Sequence, residues 1–99
     1  MFPKAIYRIF KMDNKKKAIF LDRDGVINRT VMRNGKPSSP WNMSELEILP
    51  TVSQVLKNFK KLGFLNIIFT NQPDVARGFL KISELGKMHD LILRTLPVD

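Results

Sequence analysis

Asp22 and Asp24 stand one residue apart, with Arg23 between them and Gly25 behind, and a second polar pair, Thr70-Asn71, closes a later apolar run. Two carboxylates this close can hold magnesium through oxygen while the metal keeps some waters, which leaves room for a phosphate. With the charge so offset, one carboxylate can attack phosphorus. The second can give a proton to the leaving oxygen and later take one from water. A threonine hydroxyl and backbone amides on a facing loop would hold the phosphoryl oxygens as charge shifts. An Asp-x-Asp pair also opens calcium loops, but these require glycine at the sixth position and glutamate at the twelfth. Counted from Asp22, Ile27 and Arg33 stand there instead. The chain has no phosphate loop of the Gly-x-x-x-x-Gly-Lys type.

These residues need elements that bring them together. The run Lys17-Ala18-Ile19-Phe20-Leu21-Asp22 reads as a strand buried on both faces, with Asp22 at its C-terminal end. Phe64 to Thr70 reads as a second such strand. Between them, Thr51 and Gln54 fit a capping box. Val52, Val55, Leu56, Phe59 and Leu62 trace one helical face, and Gly63 follows as a stop. Strand, helix, strand is a crossover long enough for parallel pairing, and ligands of open parallel sheets bind beyond the carboxyl ends of the strands. If the two strands are neighbours, Asp22, Asp24, Thr70 and Asn71 share one crevice.

Val26 to Leu49 has no helical period, and its Asn34-Gly35 step predicts a small hairpin flap. Trp41, beside Pro40, is expected to anchor that flap by packing. After a polar loop over 71–78, Leu85, Met88, Ile92 and Leu96 outline a second amphipathic helix, ended before Pro97. His89, the sole histidine, lies on that helix with no Ser or Cys partner in pattern, and a structural or solvent-facing role is expected for it.

The composition suits one small domain of 99 residues, 43% apolar and 26% charged, which argues against global disorder. Absence of cysteine excludes disulfides and thiolate metal sites and agrees with a cytoplasmic location. No apolar stretch nears the roughly 18 residues of a bilayer span, so no membrane partner is expected. A net charge of +8 raises nucleic-acid binding. The aromatics do not interleave with the basic residues as a stacking platform requires, so the charge reads as a solvated surface with a basic tail, attractive to small phosphorylated anions. Residues 1–16 are expected to be a basic extension, with Met12 an alternative start, and 17–99 the domain proper. The extension lacks the continuous apolar centre of a secretory signal.

Phe20-Leu21-Asp22-Arg23-Asp24-Gly25-Val26-Ile27-Asn28 resembles the first motif of haloacid dehalogenase phosphatases, in the form found in the branch acting on heptose bisphosphate and histidinol phosphate. Ile68-Phe69-Thr70-Asn71-Gln72-Pro73-Asp74-Val75-Ala76-Arg77-Gly78 resembles the second motif of that branch. The likeness runs from about Lys17 to Leu96. It implies an α/β fold, an incomplete Rossmann-like parallel sheet with a flap hairpin, corresponding to the N-terminal part of the family's domain. It implies Asp22 as the nucleophile that forms an aspartyl-phosphate and Asp24 as general acid and base. The carboxylate of Asp22 and the backbone carbonyl of Asp24 would bind magnesium. Thr70 would stabilise the phosphoryl group, with Arg23, Asn71, Gln72, Pro73 and Arg77 around the substrate and the flap from Arg29 to Arg33 against it.

The implied activity is hydrolysis of a phosphate monoester on a small metabolite, heptose 1,7-bisphosphate first and histidinol phosphate second. The family also carries a later lysine, a later acid that completes the metal site and often a zinc loop, and their counterparts do not occur before Asp99. Lys81 and Lys87 fall too early for that lysine, and zinc ligands are absent. A bare sheet edge is a further expectation. Two other readings stand beside the enzyme: a catalytically inactive remnant, and a basic module for a nucleic acid or other partner.

Overall fold

The computed structural model describes residues 7–12 and 16–99. In chain order its elements are β1 (Tyr7–Met12), β2 (Lys16–Asp22), β3 (Val31–Arg33), β4 (Lys36–Ser38), a 3-10 turn (Met43–Glu45), α1 (Val52–Lys61), β5 (Phe64–Phe69), α2 (Pro73–Ala76) and α3 (Ile82–Thr95). The class is α/β, with a three-stranded sheet in the order β1-β2-β5 and a separate β3-β4 hairpin.

Strands β2 and β5 pair in parallel, in a register that sets Asp22 opposite Phe69, so the two chains leave the sheet side by side. The amide of Arg23 donates to the carbonyl of Phe69 (2.9 Å) and extends the pairing one step past β2. The sheet is not purely parallel, however. Tyr7–Met12, inside the expected extension, forms an antiparallel edge strand on the other side of β2, from Tyr7 opposite Leu21 to Met12 opposite Lys16. Lys16, the last residue of that extension, begins β2, and its residues 1–6 and 13–15 lie outside the described residues.

Apolar side chains of β2 and the helical period of α1 and α3 converge on one core. Ile19, Leu21, Val26, Ile27, Val52, Leu56, Ile92 and Leu96 are buried together, with Phe59, Phe64 and Ile68 packed against them. Leu62 does not join: it is the cap residue that ends α1 and is 68% exposed. The capping box is not formed either. Thr51 is the N-cap but makes no side-chain cap bond, and its backbone is already near-helical (φ −94°, ψ −4°), a geometry that turns the hydroxyl away from the first-turn amides. Gln54 donates forward to Asn58 instead (3.0 Å).

The flap forms as the Asn-Gly step requires. Asn34 (φ 51°) and Gly35 (φ 74°) both adopt left-handed backbone, the pattern of a tight hairpin turn matched to strand twist. The loop over 71–78 contains a short helix that its polar character concealed, with Pro73 at its start. Among the described residues no strand pairs with the outer edge of β5. The backbone N–H and C=O of one residue there are nonetheless occupied, since the Asp99 amide donates to the Asn66 carbonyl (2.8 Å) and the Asn66 amide to the Asp99 carboxylate (2.8 Å). Among the described residues no helix is long and apolar enough to cross a membrane.

Candidate active site at the strand ends

Asp24 is the hub of the site. Its Oδ1 accepts from Arg23 Nε (3.0 Å) and Nη2 (2.8 Å) and from Asn28 Nδ2 (3.1 Å). Its Oδ2 accepts from Ser39 Oγ (2.5 Å) and Gln72 Nε2 (2.9 Å). Gln72 Nε2 also donates to Thr70 Oγ1 (2.7 Å), so one side-chain amide joins the acid after β2 to the hydroxyl after β5. The sequence-predicted residues Asp24, Gln72 and Thr70 are thus brought together, and Asp22 sits at the final position of β2 beside them. Local structure explains the aim of these groups. Gly25 (φ 87°) turns the chain sharply after Asp24, and the Ile27 and Asn28 amides return to the Arg23 carbonyl (2.8 and 3.1 Å).

The two acids differ electrostatically. Burial, and next the negative charge of Asp24, push the Asp22 carboxyl up, while the Arg23 and Asp24 amides oppose the rise. Burial alone would push Asp24 up as well. Hydrogen bonds from Ser39, Arg23 and Asn28 with the charge of Arg23 outweigh it and hold that carboxyl below its ordinary value. The split therefore runs opposite to a simple nucleophile and proton-donor assignment: unassisted, the first acid is the harder to ionise.

Arg23, expected beside substrate, turns inward. It is fully buried, with Nε and Nη2 on Asp24 and Nη1 at 2.9 Å from His89 Nε2. Asn71, Pro73 and Arg77 line an open cleft of about 560 Å³ together with Asp24, Thr30, Arg33, Ser39 and Trp41. Arg77 is mostly exposed and pairs with Asp74 (3.1 Å). On the flap side Arg33 clasps Glu45 through two bonds (2.6 and 2.9 Å) and lies 3.5 Å over the Trp41 ring. Trp41 in turn stacks on Phe79 (5.0 Å, 9°) and donates to Asp74 (2.9 Å). Trp41 is therefore the packing anchor expected of it. Arg29, at the other end of the flap segment, pairs with exposed Glu47 (2.8 Å). A smaller cleft of about 210 Å³ runs between Thr70, Arg23 and α3.

Ser39 and His89 are the contacts that pattern reading left out. Ser38-Ser39 directly after the hairpin was a visible signal for the first, because only a short polar side chain at the foot of a flap can reach back to the acid it covers. His89 carried no such signal.

The oxygen-rich surroundings suit a hard cation. The Oδ1 of Asn28 and the Oε1 of Gln72 are buried without a hydrogen-bond partner, and both side chains already touch Asp24. Among the described residues no group of three or more His, Cys, Asp or Glu converges. Magnesium tolerates such a site, since it keeps waters and needs only one or two carboxylates.

Comparison with known proteins places this geometry in context. The chain is 31% identical over 91 residues to a probable D-glycero-D-manno-heptose-1,7-bisphosphate 7-phosphatase of Thermoplasma acidophilum, covering 89% of this chain and 52% of the relative. It is 34% identical over 80 residues to D-glycero-alpha-D-manno-heptose-1,7-bisphosphate 7-phosphatase of Campylobacter jejuni, 81% of this chain and 43% of the relative. An uncharacterized protein of Methanocaldococcus jannaschii is 48% identical over 56 residues, 57% of this chain and 53% of the relative. The chain spans about half the length of these curated relatives. No family model matches it, and no solved structure matches it. Over most of its length the chain resembles a haloacid dehalogenase-type phosphatase, and the likeness covers the N-terminal part of such an enzyme.

Proposed function

We propose that this chain carries the nucleophile-bearing part of a magnesium-dependent phosphate monoester hydrolase with a haloacid dehalogenase-like fold, acting on a sugar bisphosphate such as heptose 1,7-bisphosphate. The observation that carries the reading is the Gln72 amide bridging Asp24 and Thr70 at 2.9 and 2.7 Å, because it joins the second acid to the phosphoryl-holding hydroxyl beyond two parallel strands, one of which ends in Asp22. The names of the relatives support the substrate class.

In this reading Asp22 attacks phosphorus and forms an aspartyl-phosphate, and Asp24 protonates the leaving oxygen and then activates water. Thr70 Oγ1 donates to a phosphoryl oxygen. The Asp22 carboxylate and the Asp24 carbonyl would hold magnesium, which when bound supplies the positive charge that offsets the burial and repulsion raising Asp22. A phosphate dianion next to Asp24 acts in the opposite sense on that acid and favours its protonated form. The cleft beneath the flap, about 560 Å³ with Arg33, Arg77 and Asn71 on its walls, would receive a sugar carrying a second phosphate.

A second reading is favoured by the lack of a third converging acid among the described residues: the chain holds part of a site and does not turn over alone. Phosphate release from p-nitrophenyl phosphate with magnesium, wild type against Asp22→Asn, separates the two. The hydrolase reading expects release that falls at least about a hundredfold in the variant, as loss of a nucleophile should. Equal background rates in both proteins would end it for the isolated chain. Rates for heptose 1,7-bisphosphate and histidinol phosphate then rank the substrates.

A further inference from the structure

We propose that His89 is a positioning residue, a neutral imidazole protonated on Nδ1 whose Nε2 fixes the Arg23 guanidinium and, through it, the carboxylate of Asp24. The proposal deepens the hydrolase reading, which it needs only for the purpose it gives Asp24. The geometry is specific. A guanidinium has donors and no acceptor and stays charged at any pH a protein meets. At 2.9 Å from Nη1, His89 Nε2 must therefore present its lone pair, which puts the ring proton on Nδ1 and excludes the doubly protonated ring.

Arg23 is fully buried, so its orientation is decided by these partners and not by solvent. Nε and Nη2 both point at one oxygen, Asp24 Oδ1, and Nη1 points at His89 on a helix 66 residues away. With the guanidinium clamped at both ends, Oδ1 is committed to it and to Asn28. Oδ2 is left on the side of Ser39, Gln72 and Thr70, where a leaving oxygen would be met. Burial, and then the charge of Arg23, also push the imidazole below its ordinary value against the opposing pull of Asp24 and Asp90.

His89 is the only histidine, so a long-range proton–nitrogen NMR spectrum of the full chain shows a single imidazole. At neutral pH the expected pattern is a protonated Nδ1 and a bare Nε2. An Nε2-protonated ring, or an averaged mixture of tautomers, would overturn the proposal. The second readout is solvent exchange of the Arg23 Nε proton. It should speed up by roughly ten- to a hundredfold in His89→Leu, the equivalent of one lost charge-assisted bond, and recover in His89→Gln, whose Oε1 can accept from Nη1. Wild-type protection in His89→Leu, or no recovery in His89→Gln, would equally refute it. Should the leucine variant fail to fold, the wild-type tautomer and the glutamine variant still decide. If Asp22→Asn leaves phosphate release unchanged while the tautomer and exchange results hold, the hydrolase reading fails and the positioning stands. Asp22-dependent release from a protein with an Nε2-protonated ring is the converse.

Discussion

A buried guanidinium is tolerated only while the charge it pairs with stays in place, and Arg23 forms its ion pair with Asp24. Asp24→Ala would leave that cation desolvated and unpaired, at a cost of about 3 to 5 kcal/mol. Asp24→Asn, which still accepts through its amide oxygen, should lose clearly less, and urea midpoints of the two variants measure the difference. Asn66 poses a parallel case inside an apolar strand. Its side-chain amide donates to the carbonyls of Leu56 (3.0 Å) and Pro97 (2.9 Å), tying α1 and the C-terminal segment to β5. Asn66→Leu should cost about 1 to 3 kcal/mol in denaturant titrations, because the buried Leu56 carbonyl and the half-buried Pro97 carbonyl lose their donor. Neither tie was legible in the sequence. The acid pair was, since its spacing is local. The partners of Asp24 at Ser39 and Gln72 become neighbours only through folding, and the link from Arg23, just past β2, to His89 in α3 has nothing in either segment to announce it.

At the level of elements, the hairpin is held to the rest of the domain by Arg33, clasped by Glu45 and seated on Trp41, which is stacked on Phe79. The hydrogen bond from Arg33 holds Glu45 below its ordinary carboxyl value of 4.5, and that from Trp41 acts in the same direction on Asp74, whose ordinary value is 3.8. Both are depressed in the folded state. Their stabilisation is therefore complete above the ordinary values and is lost as pH falls through the lower folded ones. Acidification should release the flap before the core melts. Fluorescence of Trp41, the only tryptophan, should change in that acid range ahead of far-ultraviolet circular dichroism, and coincident transitions would contradict this order. Gly35→Val, forced into positive φ, should weaken the same hairpin by about 1 to 2 kcal/mol. The turn was readable because Asn-Gly encodes it locally, as were β2 and β5 from their apolar runs and the two amphipathic helices from their periods. The capping box failed because its letters fit while the Thr51 backbone does not, and α2 escaped because four residues are too few to show a period.

For the molecule as a whole, the strand Tyr7–Met12 changes how the basic N-terminal segment is understood. Its residues mix apolar and cationic types without clean alternation, so no strand period was visible, yet its backbone covers one edge of β2. A chain begun at Met12 would uncover that row of amides and carbonyls. It should self-associate more than the full chain in light scattering at matched concentration, and equal behaviour would show the strand to be dispensable. The excess positive charge should draw phosphorylated anions to the cleft with an affinity that declines as salt rises, whereas salt-insensitive, undetectable binding to DNA or RNA would remove the nucleic-acid reading.

The contact of Asp99 with Asn66 has a mechanical meaning too. The two bonds grip the backbone N–H and C=O of a single residue of β5, and Lys60 holds the same carboxylate from α1 at 2.7 Å. Tension applied to the chain beyond Val98 passes into the strand that runs directly to Thr70. A fusion partner or surface tether attached at this end would tug on the phosphoryl-holding hydroxyl, whereas the same load on the flap would reach it only through side chains.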